Sequence, residues 1–126
     1  MSPDNSTTFR ERLAQAVPAD VLPAAEKVFE WVTLHPKAEY VEAGDVLSAF
    51  KEADPLQVVA ALGFMSSAGI LRKKYAVAPR STHTRLGELF DSIESIPEEL
   101  EDWKLSRFEK DDAEVYPVFV PSWGRE

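Results

Sequence analysis

The sequence predicts an α+β chain that is mainly helical. Three observations carry this. Apolar residues recur at three- and four-residue spacing through much of the first 68 positions. Residues 55–68 are bracketed by a start signal, Asp54-Pro55, and a stop signal, Gly69. Residues 71–78 then switch to a period of two, the signature of a strand.

Each element follows in order. Thr8 and Glu11 fit a capping box, and Phe9, Leu13 and Val17 repeat behind it, so a helix is expected over 8–17, ended by Pro18. Asp20 is the expected cap of a second helix, 20–34. Pro23 is tolerated in its first turn and Leu22, Ala25, Phe29 and Val32 form its stripe. His35-Pro36 closes it, with His35 as a cap or dipole partner. Residues 39–41 read as a brief extended segment, and 43–52 as a third helix with Val46, Leu47 and Phe50 on one side. In the fourth helix, 55–68, Asp54 caps and Pro55 takes the first position. Gln57 is placed to complete a capping box, and Val58, Val59, Leu62 and Met65 are the expected buried stripe. Gly69 is the expected C-terminal glycine.

Leu71, Lys73, Tyr75 and Val77 alternate with Arg72, Lys74 and Ala76 in the strand that follows. A return strand is expected over 82–86. Leu86, Leu89, Phe90 and Ile93 then read as a helical stripe. Residues 95–98 match a second capping box; on the acidic helix expected to follow, Glu98 and Asp102 share one face and Leu100 and Trp103 another. Residues 115–120 are a strand by composition, and Pro117 restricts them to an edge or an extended arm. Three regions result: an N-terminal arm (1–19), a core (20–86), and an acidic helical extension with a C-terminal arm (87–126), all within one domain.

The order helix, short strand, helix, helix, strand, return strand over residues 20–86 resembles the winged helix-turn-helix superfamily. Residues 59–72, VAALGFMSSAGILR, are similar to the end of many of its recognition helices, where an apolar residue, a glycine and a leucine lead into the wing. The resemblance implies a three-helix core with a β-hairpin wing. In members that read DNA, the exposed face of the third core helix enters the major groove and the wing contacts phosphate or the minor groove. Carried over, the reading face is Gln57, Ala60, Ala61, Phe64, Ser67 and Ala68. This face departs from the pattern. It holds no Arg, Lys or Asn, and base readout relies on bidentate partners such as Arg on guanine. Only Gln57 and the serines suit that role. Phe64 and the alanines suit a protein surface.

The wing points the other way. Arg72, Lys73, Lys74, Arg80 and Arg85 give residues 72–87 a local charge of +5, with His83 beside them. They are candidates for phosphate contact, for pairing with the eleven acids of residues 88–114, or for an acidic partner. In the C-terminal arm, Tyr116, Phe119 and Trp123 are candidates for docking on another chain, with folding back onto the same chain as the alternative. Trp31 and Trp103 are expected in packing roles.

Composition narrows the classes. Net charge is −8, which repels nucleic acid unless bases gather on one face. Cysteine is absent, which excludes disulfides and thiolate metal sites, and only two histidines are present. The acids show no EF-hand spacing, the five glycines are scattered, and no serine sits in a nucleophile elbow. No enzymatic activity, metal or cofactor is expected. There is no membrane-length apolar run and no signal-peptide pattern, so a cytoplasmic protein is expected. The leading expectation is a winged-helix module acting through protein–protein contacts, with a protein partner or a second copy. The alternatives are a DNA-binding regulator and an acidic inhibitor or antitoxin-like protein.

Overall fold

The computed structural model describes residues 5–122, with side chains from Arg10 onward. The fold class is α+β: among the described residues there are four α-helices, a 3-10 turn at Lys110–Asp112, a three-stranded sheet and a two-stranded hairpin. The chain divides into two compact units, Met1–Arg72 with Phe119–Glu126, and Lys73–Val118. These limits differ from the expected breaks at 19/20 and 86/87. The N-terminal helix and the residue after it share the first unit's core through Leu13 and Val17, and Phe119 returns to that core from the C-terminal strand.

The first unit is built on α1 (Asn5–Ala16), α2 (Leu22–Leu34), α3 (Ala43–Ala49) and α4 (Pro55–Ser67). Helix α1 begins before Thr8, so that residue lies within the helix and is not its cap. Helix α2 has Val21 at its N-cap with no side-chain bond, and Asp20 plays no capping part. A turn from Pro18 starts it instead, its carbonyl accepting from Val21 and Leu22 at 2.9 and 3.0 Å. His35 closes α2 as expected: its ring bonds the Trp31 carbonyl at 2.8 Å and stacks on the indole at 4.1 Å. Glu42 and Asp45 form a reciprocal capping box on α3. That helix stops at Ala49, short of the expected residue 52, because Phe50 leaves helical geometry with ψ +87.

Helix α4 is the most legible element. Asp54 accepts from the Leu56 amide at 2.9 Å. At the other end the Ile70 amide donates to Met65 and the Gly69 amide to Ser66, the paired bonds of a Schellman motif. Gly69 has φ +79, and a Cβ there meets nothing within 4 Å. Gly69→Ala therefore tests backbone conformation alone. It is expected to cost about 1–2 kcal/mol in urea unfolding, with Gly69→Asn costing less; an unchanged midpoint would refute the role. The buried face is Val58, Ala61, Leu62 and Met65. Val59 was expected inside and is exposed, while Ala61 was expected on the reading face and is buried. Gln57 does not complete a capping box: its Oε1 is enclosed and accepts no hydrogen bond.

Strand β1 (Leu71–Pro79) is central in the sheet, between β2 (Leu89–Phe90) and β5 (Ala113–Pro121). The return strand expected over 82–86 does not form. That segment is irregular, with His83 at φ +59, and its Leu86 amide bonds the Val77 carbonyl. The pairing passes to β2, with Tyr75 opposite Phe90, because Phe90 can be buried there. The helices expected around 86–93 and after residue 95 are also absent. Ser92 and Ser95 bond each other's backbone amides at 3.2–3.3 Å, a local alternative to helix. Beyond them, β3 (Glu99–Glu101) and β4 (Arg107–Glu109) make an antiparallel hairpin. Their charged–apolar–charged triplets, Glu-Leu-Glu and Arg-Phe-Glu, bury Leu100 and half-bury Phe108 while the charges face out. Val77, Phe90, Ile96, Leu100 and Ala113 form the second unit's own core.

Strand β5 is the expected strand at 115–120, at the sheet edge as Pro117 requires. In the first unit its Phe119 exchanges backbone bonds with Val41 at 2.8 and 3.0 Å. The C-terminal segment is therefore folded onto its own chain as far as Ser122, whose hydroxyl donates to the Ile70 carbonyl at 2.7 Å.

Candidate functional site

The outward face of α4 is the uncharged helical surface that the sequence singles out. Leu56, Val59 and Phe64 are 81%, 58% and 40% exposed. At about 100° per residue, these three and Ala60, Gly63 and Ser67 share an arc of about 140°. No charged residue lies between Asp54 and Arg72. The buried arc explains the exchange of Ala61 and Val59. Ala61 falls on the side of Val58 and Met65, whereas Val59 is rotated out past Leu62. Gln57 sits at the margin and lines a recess with Asp20, Lys27 and Asp54, so its amide is turned away from the outward face. Of the expected partner residues on this helix, Phe64 and Ser67 are exposed, Gln57 is half-buried and Ala61 is buried.

The basic residues are only partly available. Arg72 and Lys73 are exposed. Lys73 lies 5.7 Å from the Tyr75 ring centroid. Lys74 bonds Asp91 at 2.6 Å. The Arg85 guanidinium lies 4.4 Å above the Tyr116 ring. Arg80 is exposed, and its charge helps to stabilise the Glu114 carboxylate. A strand sends successive side chains to opposite faces, so Arg72 and Lys74 do not share a face with Lys73.

His83 and Glu114 are joined at 2.5 Å. Hydrogen bonds from Tyr116 and then His83 hold the Glu114 carboxyl below its ordinary value. A lowered carboxylate contributes stability above its unfolded value and loses it as pH falls through the folded one. Glu114→Gln is therefore expected to flatten the acid limb of a stability–pH profile, with the wild-type and variant curves converging at low pH. Curves that stay parallel across the acid range would contradict the assignment. No group of three His, Cys, Asp or Glu among the described residues is placed to hold a metal.

The aromatic arm residues lie differently from the expectation of a docking arm. Phe119 is buried in the first core, Tyr116 is half-buried beneath Arg85, and Trp123 is outside the described residues. Glu98 and Asp102 do not share a helix face; they flank β3. Trp103, expected to pack, is 69% exposed with Leu105 beside it at 75%. The overlooked signal was the pair of alternating triplets on either side, which marks a hairpin and puts this tryptophan at its turn. Among the described residues no helix is long and apolar enough to cross a membrane. No family model, curated protein or solved structure matches the chain.

Proposed function

We propose that the chain is a non-enzymatic winged-helix module that works through protein–protein contacts, as an adaptor or accessory subunit. In this reading α2, α3 and α4 are the three core helices and α4 occupies the recognition position. Strands β1 and β5 are the wing strands, and residues 80–112 are an enlarged wing tip. The Val41–Phe119 bridge supplies the short strand between the first two core helices. One observation carries the reading: the outward face of α4 offers Leu56, Val59 and Phe64 and no charge. Apolar side chains on one helix face suit an apolar protein groove, and they offer no hydrogen bond to base edges and no charge to phosphate.

The DNA-binding alternative rests on exposed Arg72 and Lys73. Size exclusion with light scattering, retrieval from the native host and a mobility-shift assay at two salt concentrations separate the two. The proposal expects self-association or a retained protein partner, with duplex binding that is weak and falls with salt. A strict monomer that retains no protein and binds a specific duplex tightly would overturn it. In that case charge reversal at Arg72 and Lys73 abolishes the binding.

A further inference from the structure

Helix α4 carries a glycine that the chain's own packing does not use. Gly63 is exposed and lies within the helix, and a Cβ built there meets nothing within 4 Å. Alanine fits that space without contact, and glycine in a helix interior is unfavourable relative to alanine. What the missing side chain permits is the close approach of another backbone. Two helices pack with their axes about 8–10 Å apart, the distance being set by the side chains at the contact.

The residues around Gly63 form a surface complementary to itself. At about 100° per residue, Leu56, Ala60, Gly63 and Ser67 run down the middle of the outward face, with Val59 on one flank and Phe64 on the other. Two copies of α4 can be set antiparallel about a two-fold axis midway between Ala61 and Leu62. Ala60 of one copy is then level with Gly63 of the second, and Leu56 with Ser67, so each larger side chain meets a smaller one. Val59 and Phe64 close the two flanks against their own counterparts. A parallel pair instead stacks Leu56 on Leu56 and leaves a gap where Gly63 meets Gly63.

The ends of the helix select the same arrangement. Exposed Glu52 and Asp54 outweigh Lys51 just before α4, exposed Arg72 and Lys73 follow it, and no charge lies between. Antiparallel packing puts the acidic end of each copy beside the basic end of the other and sets the two helix dipoles head to tail. Parallel packing puts like charges together. Exposed rim charges of this kind set orientation and add little affinity.

We infer that α4 is a self-association surface, on which two copies of the chain pack antiparallel through Leu56, Val59, Ala60, Gly63, Phe64 and Ser67, closest at Gly63. The inference rests on the α4 reading above and names its partner as a second copy. One helix face from each copy is smaller than a standard interface, so the dimer is weak.

Sedimentation equilibrium of the full chain from about 10 to about 500 µM spans the range of a weak dimer. The wild type is expected to dimerise. Gly63→Ala is expected to weaken the dimer roughly tenfold by overpacking the closest approach. The same change is expected to raise the melting temperature of the dilute monomer, because alanine favours the helix. The opposite signs separate a packing role from damage to the fold. Orientation is read by cross-linking, since the chain has no cysteine. Leu56→Cys and Ser67→Cys proteins, mixed at high concentration with a short thiol-reactive linker, are expected to give mainly the mixed dimer by mass. Leu56→Cys alone is expected to link poorly, its two thiols standing about 16 Å apart along the helix axis. A strict monomer throughout, a Gly63→Ala dimer as tight as the wild type, or linked Leu56→Cys pairs in place of mixed ones would overturn the inference. If the wild type is monomeric and Val59→Asp/Phe64→Asp loses a host protein, self-pairing fails and the α4 reading stands. If the wild type dimerises and the dimer survives Val59→Asp/Phe64→Asp, both fail.

Discussion

Phe119→Ala is expected to destabilise the protein by about 3–5 kcal/mol, the range for truncating a buried phenylalanine. Phe119 is 9% exposed and belongs to the core made by α1 to α4. Its backbone also exchanges two hydrogen bonds with Val41, at 2.8 and 3.0 Å. Removing the ring opens a void in that core and loosens the bridge that fixes Val41. The loss is comparable to the whole stability of many small domains, about 5–15 kcal/mol, so the variant approaches unfolding at room temperature. Phe119→Leu is the gentler probe, expected to cost about 1–2 kcal/mol by imperfect refilling of the same space. Urea unfolding followed by circular dichroism reads both. A docking arm would give the opposite pattern: unchanged midpoints for both variants and a lost partner. That pattern would overturn the placement of β5.

The contrast with Trp103 shows where sequence reasoning holds and where it breaks. Helix α4 was legible because its signals are local. A capping aspartate, a proline at the first position and a glycine at the end each act within one turn, and all three work as read. Strand β1 was legible from its period of two. Residues 82–101 were misread because their apolar spacing fits two geometries. Leu86, Leu89, Phe90 and Ile93 can be written as a helical stripe, and the structure makes Leu89 and Phe90 a strand paired with β1 and leaves Ile93 exposed. That choice depends on a partner strand distant in sequence, and no local pattern encodes it. The same cause moved Trp103 from an expected helix face to a hairpin tip. On α4, by contrast, the site was nearly readable. Phe64 and Ser67 are exposed as expected, and Ala61 and Val59 were exchanged because both border the buried arc.

Val59→Asp combined with Phe64→Asp is expected to abolish self-association or partner retention while leaving the fold intact. Val59 and Phe64 are 58% and 40% exposed, so both lie at the surface and the packing lost is mainly that of the covered part of the Phe64 ring. Aspartate, valine and phenylalanine also have similar helix propensities. The change in stability is expected to stay within about 2 kcal/mol. Binding responds quite differently. Two carboxylates carried into an apolar interface must be desolvated without partners, and a central interface position commonly contributes about 2 kcal/mol or more. The resulting loss of affinity is roughly 30-fold or greater, since about 1.4 kcal/mol is a factor of ten. Light scattering across a dilution series and retention of host proteins on the immobilised variant supply the readout. The matched control is Glu30→Ala on the exposed side of α2, which adds no charge to the α4 face and is expected to leave both measurements unchanged. If the double variant keeps every association of the wild type, α4 is not the interaction surface. If instead the wild type associates with nothing and binds duplex DNA, the exposed Arg72 and Lys73 become the residues to follow. The two readings therefore differ at the wing: charge reversed at the exposed Arg72 and Lys73 is silent under protein binding through α4 and abolishes duplex binding under the DNA reading.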